Sequence, residues 1–306
     1  MDIAVTRRLG AMVAVVGRAN IDLTVRVPYL PTAGRAAFGS TLKATAGGKS
    51  LNQAVAIARL GGRAQLVTRA GADAWGWQLR DAVIAAGVDA SSFHLIDGVA
   101  TAAGDIQVTP DGESYVSLAL SPDAELTGDA VTEALDLGNP AIVVAQLDLP
   151  PDAARAAIQW QRRGLLIGNL VPHPNFDRQL LSELDVLVVN EHEAADILGV
   201  DDADPSGAVR ELQRLGPKAV VVTAGRGGAY FVFGDRFGHV AAEMVDVVDS
   251  SGAGDAFLGA LATELSRHSD LVAAVAVANS VAAIAVQQHG SLLSTPRLEG
   301  HGPTTA

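Results

Sequence analysis

The sequence predicts an α/β fold, in which a mostly parallel central sheet carries helices on both faces and a small antiparallel β lid is added. The first observation is a series of short runs rich in Val, Ile and Leu without polar alternation, which is typical of strands buried on both faces. These runs cover residues 11–17, 65–71, 141–147, 165–170, 185–190 and 219–225. The second observation is that helical patterns lie between the runs, at residues 50–60, 75–86, 152–163 and 206–215. Strands that alternate with helices favour a parallel sheet covered by helices.

Two segments interrupt this alternation and predict the lid. Residues 20–46 show no helical pattern. Residues 104–120 alternate apolar and polar side chains on either side of a Pro-Asp-Gly turn, as in a hairpin with one apolar face. The apolar positions of that hairpin are Ile106, Val108, Val116, Leu118 and Leu120. We place both segments in a small antiparallel sheet that covers the end of the parallel sheet.

These patterns predict two domains. The α/β domain comprises residues 1–19, 47–98 and 122–306, and the lid comprises residues 20–46 and 99–121. Within the α/β domain, residues 272–288 are nearly all apolar and predict a long buried helix. A flap with an exposed apolar face needs a partner, so we expect a homodimer that pairs through the lid.

Composition narrows the class of protein. The chain has 306 residues, of which 49% are hydrophobic and only 4% aromatic, so its core is built from Ala, Val, Leu and Ile. The formal net charge of −12 repels nucleic acid and anionic lipid, which are therefore not expected as partners. The absence of cysteine excludes disulfides and thiolate metal sites. The sequence shows no secretory signal pattern and no apolar run of about 20 residues, so we expect a cytoplasmic protein without a membrane span.

A Gly-Gly-Lys-Ser stretch at residues 47–50 ends like a phosphate-binding P-loop. That motif needs its first glycine where this chain has Lys43. It also follows a buried strand, whereas the residues before this stretch are largely polar. We therefore reject a P-loop and expect another role for the two glycines and the lysine.

Residues 246–265 combine small residues with a carboxylate at a helix start. A strand-like beginning leads into a Gly-Ala-Gly triplet, and Asp255 then opens a helix. Small residues let the amides of a helix N-terminus approach an anion closely. Taken alone, Asp255 fits an N-cap better than a catalytic group. Beside an anion site, however, it also suits the general base that phosphoryl transfer to a hydroxyl needs. A dinucleotide fingerprint is excluded, because Phe257 replaces its last glycine.

Two motifs together carry a resemblance to a known family. One is Gly47-Gly48-Lys49-x-x-Asn52-x-Ala54 followed by Ala58-Arg59-Leu60-Gly61, and the other is Asp249-x-x-Gly252-Ala253-Gly254-Asp255-x-Phe257. In this order and about 200 residues apart, they resemble the two signatures of the ribokinase-like (PfkB-type) carbohydrate kinases, and within them the ribokinase group. The resemblance extends from about Val13 to Pro296 and implies the ribokinase-like fold.

The resemblance implies an ATP-dependent kinase that transfers the γ-phosphoryl group to a primary hydroxyl of a small sugar, with ribose as the first candidate. It assigns Asp255 as the catalytic base and Gly252, Ala253 and Gly254 as the anion-binding amides. ATP and Mg²⁺ are the implied cofactors. A nucleoside kinase of the adenosine, inosine or cytidine type, or a ketohexose kinase, is the alternative within the superfamily. A non-catalytic sugar-binding relative is the alternative of a different class.

The resemblance also implies a set of sugar-binding residues. They are Asn20, Asp22, Gly47, Gly48, Lys49, Asn52, Asp148 and Asp255. Residues two apart in an extended chain face the same way, so Asn20 and Asp22 can converge on one sugar; from the residues alone, Asp22 could equally cap a loop. Two positions depart from the ribokinase pattern. Leu51, after Ser50, adds bulk beside the sugar, and Asp148 replaces a longer Glu, which leaves a gap for a differently shaped sugar.

A second implied set binds the nucleotide. It consists of Asn190, Thr223, Gly225, Gly228, Gly254 and Asn279. Glu193, three residues after Asn190, is implied to act on Mg²⁺ through water. A zinc-protease interpretation of His192 and Glu193 fails, because Asp196 stands where the second histidine is needed. Two plainer interpretations stay open, namely a polar helix start at Asn190 and a structural buried Asn279.

The resemblance finally implies a K⁺ site near the C-terminus. Its ligands are Asp249 together with Ser251, Ala285, Gln288, Gly290 and Ser294. Oxygen ligands suit a hard, weakly charged cation. We therefore expect K⁺ as an activator.

Overall fold

The computed structural model describes residues 11–111, 113–170, 176–267, 270–292 and 294–297. Residues 1–10 and 298–306 of the predicted α/β domain, and Gly112 of the predicted hairpin turn, lie outside the described residues. No helix in the described ranges is both long enough and apolar enough to cross a membrane.

Strands account for two sheets. They are β1 (Met12–Val16), β2 (Asn20–Arg26), β3 (Lys43–Gly47), β4 (Arg63–Gly71), β5 (Phe93–Ile96), β6 (Ala103–Val108), β7 (Ser114–Ala119), β8 (Ile142–Gln146), β9 (Leu165–Asn169), β10 (Val186–Asn190), β11 (Ala219–Thr223), β12 (Ala229–Phe233) and β13 (Arg236–Val240). The main sheet has nine strands in the order β13-β12-β11-β10-β9-β8-β1-β4-β5. Its strands pair in parallel from β11 through to β5, and only β12 and β13 run antiparallel.

Helices cover both faces of the main sheet. They are α1 (Lys49–Arg59), α2 (Ala74–Ala85), α3 (Gly128–Gly138), α4 (Pro151–Gln159), α5 (Glu191–Leu198), α6 (Pro205–Arg214), α7 (Ala253–Arg267) and α8 (Leu271–Ala285), with short 3₁₀ helices at Pro122–Ala124, Trp160–Arg162, Arg178–Glu183 and Gly225–Gly227. Each central strand sends alternate side chains into two separate cores, as β1 does with Val13 and Val15 on one face and Ala14 and Val16 on the other. The predicted α/β architecture is confirmed: the six apolar runs form β1, β4, β8, β9, β10 and β11.

Two local expectations were wrong. The beginning of the 246–265 stretch is irregular rather than a strand; its backbone amides at Val248 and Asp249 donate to the Val286 carbonyl. The apolar helix α8 is not fully buried, because Val277 and Ile284 are 41% and 40% exposed. A helix that packs against one layer buries one side only, whatever its composition.

The second sheet confirms that the two predicted segments form a separate small sheet; their role as a lid stays a prediction. Its strand order is β3-β2-β6-β7, and β6 and β7 form the predicted antiparallel hairpin, with Ile106 opposite Val116. The central pair, β2 with β6, runs parallel, whereas β2–β3 and β6–β7 are antiparallel, so the small sheet is mixed rather than antiparallel throughout. The side chains of Val116 and Leu118 are each 57% exposed, so the hairpin shows an uncovered apolar face.

The topology explains where a site can form. In an open parallel sheet, ligands bind beyond the carboxyl ends of the strands. Polar residues end four neighbouring strands at that edge of the sheet: Gln146, Asn169, Asn190 and Thr223. The first turn of α1 and the first turn of α7 meet at the same edge, since side chains of Asn52 and Gln53 contact Asp255.

Candidate active site

Asp255 lies in the first turn of α7 and is held by two side-chain amides. Its Oδ2 accepts a hydrogen bond from Nδ2 of Asn52, and its Oδ1 accepts one from Nε2 of Gln53, each at 3.0 Å. Since α7 begins at Ala253, Asp255 is inside the helix, and its carboxylate faces α1 rather than the amides of its own helix. This arrangement favours the predicted base over the N-cap interpretation.

The surroundings of Asp255 bring its pKa close to neutral pH. Burial raises the pKa of Asp255 to about 6, against the lowering effects of the Lys49 charge and of the Asn52 and Gln53 hydrogen bonds, while the Glu193 charge raises it. A general base works best when its pKa is close to the working pH. Asp255 is therefore ionised at pH 7 and remains basic enough to accept a proton.

The N-terminus of α7 provides space for an anion. The first amides of an α-helix have no intrahelical partner, and they point toward any negatively charged group placed there. Gly252 has φ +76°, and a Cβ at this position would lie 2.7 Å from Cα of Ser291, so a side chain here would be strained and would collide with backbone. A Cβ built on Gly254 would meet no other atom within 4 Å, so this side of the helix end is open. Among the predicted amides at Gly252, Ala253 and Gly254, that of Ala253 already donates to the Ser250 carbonyl at 3.3 Å, so the open side at Gly254 is the part of the helix end that fits a phosphate group.

Glu193 lies between a helix cap and a lysine. Its Oε2 accepts from the backbone amide of Asn190 at 2.9 Å, and Oδ1 of Asn190 accepts from the amide of Glu193 at 2.8 Å, which forms a capping box at the start of α5. Its Oε1 pairs with Nζ of Lys49 at 2.5 Å. The plainer interpretation, a polar helix start, is therefore present in the structure.

The contacts of Glu193 limit the way in which this site can bind a divalent cation. Protein donors already occupy both oxygens of Glu193. Within the described ranges, no group of three or more His, Cys, Asp or Glu side chains could hold a metal ion. The residues present fit Mg²⁺ only when most of its ligands are water or phosphate oxygens, which is its usual preference.

The ammonium group of Lys49 contacts one carboxylate and lies near a second one. Its Nζ contacts Glu193, and its charge lowers the pKa of Asp255. The sequence placed Lys49 on the sugar; the structure directs its ammonium group to the side where Asp255 and Glu193 meet.

Asn20 and Asp22 form the other side of the site. Nδ2 of Asn20 donates to Oδ1 of Asp22 at 2.7 Å. Burial raises the pKa of the Asp22 carboxyl above its ordinary value, and the Asn20 hydrogen bond opposes this rise only in part. Asp22 lies within β2, so it does not cap a loop. The predicted pair is confirmed as neighbours in space.

Gly47 and Gly48 are required by these two side chains. A Cβ on Gly47 would lie 2.0 Å from Oδ2 of Asp22, and one on Gly48 would lie 2.8 Å from Oδ1 of Asn20. Gly48 also has φ +92°, in the region that favours glycine. The two glycines therefore allow the β3–α1 junction to pass close to the predicted sugar ligands.

One departure from the ribokinase pattern, Leu51, is fully buried in the core and lies on a different side of α1 from Asn52. Ser50 is equally buried, and its Oγ donates to Oε1 of Gln146 at 2.8 Å. The expectation that Leu51 adds bulk beside the sugar stays a prediction, because the same core cluster also contains Ile21 and Ala46, the chain neighbours of Asp22 and Gly47.

Arg18 forms a cluster with two acidic residues, Glu125 and Asp148. The sequence did not predict this cluster. Its Nε donates to Oε1 of Glu125 at 2.8 Å, its Nη1 to Oδ2 of Asp148 at 2.5 Å, and its Nη2 to the Asp148 carbonyl at 2.9 Å. The Asp148 carboxylate is therefore paired with a guanidinium group, and the gap for a differently shaped sugar stays a prediction. Oδ1 of Asp148 is buried and has no hydrogen-bond partner among the described residues. An arginine directly after β1 was the available signal, but its partners are more than a hundred residues away in sequence.

Four of the predicted nucleotide residues, Asn190, Thr223, Gly225 and Gly228, lie at or just beyond the ends of β10 and β11. Oγ1 of Thr223 lies 3.5 Å from the Val189 carbonyl. Gly225 and Gly228 have φ +47° and +85°, and they close a tight loop in which the amide of Ala224 donates to the Gly228 carbonyl. Nδ2 of Asn279 donates to the carbonyl of Ala241 at 2.9 Å, which is the plainer structural role for this asparagine.

The predicted K⁺ ligands lie on two adjoining segments. Oδ1 of Asp249 accepts from the amide of Ser251 at 2.9 Å, and Oδ2 accepts from the amide of Gly290 at 3.0 Å. Burial alone would raise the pKa of Asp249, but these amides hold it below its ordinary value. The Ala285 carbonyl accepts from the amide of Gln288 at 3.1 Å. In the same region, Oγ of Ser294 donates to the Ser291 carbonyl at 3.0 Å. The segments supply an ionised carboxylate and carbonyl oxygens, which fits a monovalent cation.

Comparison with known proteins gives consistent matches over nearly the whole chain. The model of the pfkB family of carbohydrate kinases matches residues 11–298. A ribokinase of Haemophilus influenzae is 27% identical over 288 residues, which cover 92% of this chain and 94% of the relative. A deoxyribokinase of Salmonella typhi is 28% identical over 294 residues, which cover 94% of this chain and 96% of the relative. The structure of Arabidopsis thaliana ribokinase complexed with ribose and ATP is similar with a TM-score of 0.81 and 25% identity, covering 94% of this chain and 96% of that one.

Proposed function

This chain belongs to the pfkB family of carbohydrate kinases, and from that premise we propose that it transfers the γ-phosphoryl group of ATP to a primary hydroxyl of a small sugar. The enzyme is a phosphotransferase with an alcohol acceptor, and its fold is the ribokinase-like α/β fold. We further propose ribose as the acceptor, which would give ribose 5-phosphate. Deoxyribose is the second candidate, because a relative of equal similarity is a deoxyribokinase.

One observation supports this reaction above the others. Asp255, with its pKa raised to about 6 by burial, stands in the first turn of the helix whose N-terminus is open to an anion. A hydroxyl placed between them loses its proton to the Asp255 carboxylate as its oxygen attacks phosphorus. The amides at residues 252–254 then stabilise charge on the phosphoryl group.

Other residues of the chain orient the reactants. Asn20 and Asp22 offer hydrogen-bonding groups to sugar hydroxyls. Asp148 is a further proposed ligand through its unpaired Oδ1, which is buried in this structure and has to become accessible when the sugar binds. Lys49 contributes a positive charge close to Asp255 in a protein whose formal charge is −12. Bound Mg²⁺ supplies the remaining positive charge on the phosphates. This division of work is the one that phosphoryl transfer needs, since positioning and electrostatics supply most of its acceleration.

An ADP-release assay with a panel of acceptors tests the proposal. The panel contains ribose, deoxyribose, ketohexoses and nucleosides, each with ATP and Mg²⁺. We expect the highest kcat/KM with ribose. Highest turnover with another acceptor would refute the proposed sugar and keep the kinase. Calorimetric binding of a sugar without any ADP production would instead indicate a non-catalytic relative.

We expect K⁺ to activate the enzyme through the site around Asp249 and residues 285–294. Its carboxylate is held ionised by two amides, so it can neutralise a cation at the start of α7. The measurement is turnover in potassium buffer against sodium buffer at equal ionic strength. Equal rates in the two buffers would remove this site from the proposal.

We also propose that the small sheet, from residues 20–46 and 99–121, closes over the sugar and pairs two chains through its exposed face. Val116 and Leu118 supply much of that face. We expect a dimer in light scattering at micromolar concentration and a monomer after the change Val116→Asp. Leu137→Asp, at a 77% exposed position on α3, is the matched control and should leave the mass unchanged. A monomeric parent chain would contradict the proposal.

A further inference from the structure

Gln53 is a buried side chain that joins Asp255 to the central sheet. It is 1% exposed, and its Nε2 donates both to Oδ1 of Asp255 at 3.0 Å and to Oδ1 of Asn169 at 3.2 Å. A side-chain amide nitrogen has two hydrogens, so both are used. Gln53 has no surface from which to contact a sugar.

Asn169 fixes the orientation of Gln53. It ends β9, and its Nδ2 donates to the carbonyl of Val188 in β10 at 2.8 Å. A backbone carbonyl can only accept, so the nitrogen of Asn169 must face Val188 and its oxygen must face Gln53. That oxygen in turn requires the nitrogen of Gln53 to face it. The series Val188–Asn169–Gln53–Asp255 is therefore defined by hydrogen-bonding chemistry and begins on rigid strands.

Asn52 and Gln53 do different work although they hold the same carboxylate. Asn52 donates to Oδ2 and is 7% exposed. Gln53 donates to Oδ1 and is anchored behind. The charged groups near this carboxylate are Lys49 from α1 and Glu193 from α5, which act in opposite directions on its ionisation. The side-chain amide of Gln53 is an uncharged hydrogen-bond donor that acts beside these two charges. Its position is fixed by its second hydrogen bond, to Asn169.

We propose that Gln53, held by Asn169, is a positioning residue that fixes the rotamer of the Asp255 carboxylate and keeps it ionised at neutral pH. This inference rests on the proposed role of Asp255 as the base. A donor hydrogen bond favours the charged form of a carboxylate, whereas burial favours the neutral form. Without Gln53, burial of Asp255 acts with less opposition, and a larger fraction of the enzyme holds a protonated, inactive base.

The test is the pH dependence of kcat/KM in Gln53→Met, which keeps the length of the side chain and removes its donor. One hydrogen bond to a charged group is worth about one pH unit of ionisation. We expect the acidic limb of the profile to move up by about one unit from its value near 6, so that activity below pH 6 falls about tenfold and recovers toward pH 8. The acceptor is the sugar with the highest turnover in the panel.

Gln65→Met is the matched control. Gln65 is also 1% exposed, and its Nε2 makes a hydrogen bond of 3.0 Å to Oγ of Ser92, away from Asp255. We expect this variant to lose stability and to keep the acidic limb of the parent. An unmoved limb in folded Gln53→Met, or an equal movement in Gln65→Met, would overturn the inference.

A second readout does not depend on turnover and covers the case in which Gln53→Met folds poorly. The second readout is NMR of protein labelled with carbon-13 at the Asp carboxyls. The signal of Asp255 is identified as the one that is absent from the spectrum of Asp255→Asn. We expect that signal to titrate at higher pH in Gln53→Met and, by a smaller amount, in Asn169→Ala. Unchanged titration in both variants refutes the inference about Gln53 alone. Full activity of Asp255→Asn, by contrast, refutes the proposed role of Asp255 as the base, and absence of ADP release with every acceptor in the panel refutes the proposed function itself.

Discussion

Replacing Asp255 with Asn is expected to lower kcat by about 10²–10⁴-fold, the usual contribution of a general base. The amide keeps the size of the side chain and can still accept one hydrogen bond from Asn52 or Gln53, but it cannot take up the proton of the acceptor hydroxyl. KM for ATP and for the sugar should change little, because other residues hold the ligands. A folded variant with more than about a tenth of the parent kcat, against the loss expected for a base, would return Asp255 to a structural role.

The same change is expected to stabilise the fold. The pKa of Asp255 is about 6 in the folded chain and 3.8 ordinarily. Because the folded value is the higher one, the favourable contribution of the proton is present at low pH and is lost as pH rises through about 6. At pH 8 the ionised carboxylate therefore costs up to about 3 kcal/mol of unfolding free energy, which the neutral amide avoids.

Measuring kcat together with urea unfolding at pH 8 tests both expectations. Asp185→Asn is the matched control, since Asp185 is buried but paired with Lys218 at 2.7 Å and with the amide of Leu166 at 2.8 Å. We expect the control to lose stability and keep kcat, which is the opposite outcome. If Asp255→Asn loses as much unfolding free energy as the control does, then burial does not destabilise the ionised carboxylate of Asp255.

Arg18→Met is expected to have the second largest effect. The change leaves the partly buried carboxylates of Glu125 and Asp148 without the guanidinium that pairs with both. Removing one partner from a buried ion pair typically costs 3–5 kcal/mol, and we expect about 2–3 kcal/mol here because some solvent reaches the cluster. Since Asp148 is then free to turn, we also expect KM for the sugar to rise about tenfold, the worth of one hydrogen bond to a charged group, while KM for ATP stays unchanged.

Arg163→Met separates this effect from the loss of any surface arginine. Arg163 pairs with Asp136 on the surface, with side chains that are 59% and 52% exposed. Exposed pairs contribute about 0–1 kcal/mol, so the control should unfold almost as the parent does and should keep the sugar KM. Equal behaviour of the two variants would show that the Arg18 cluster has no special part in the sugar site.

Local patterns were sufficient to predict six strands of the main sheet and the separate small sheet. The strands β1, β4, β8, β9, β10 and β11 were readable because each is largely buried and therefore largely apolar, although β4 also carries buried Gln65 and Thr68. The edge strands β5 and β13 were not readable, because edge strands expose polar positions and carry no continuous apolar run. Asp255 and the glycines before it were readable because the helix start and the small residues lie within a few positions of each other.

Only the tertiary structure decided what those residues contact. The sequence by itself determined that Asp255 follows a Gly-Ala-Gly triplet and that Asp148 ends an apolar run, but not that Gln53 and Arg18 are their partners. Contacts between residues 202 and 130 positions apart depend on which strands become neighbours and how helices are rotated. Leu51 shows the same limit, since one position along α1 separates a core side chain from the face of Asn52. Periodicity fixes the faces of a helix, whereas packing of the whole chain decides which face meets the core.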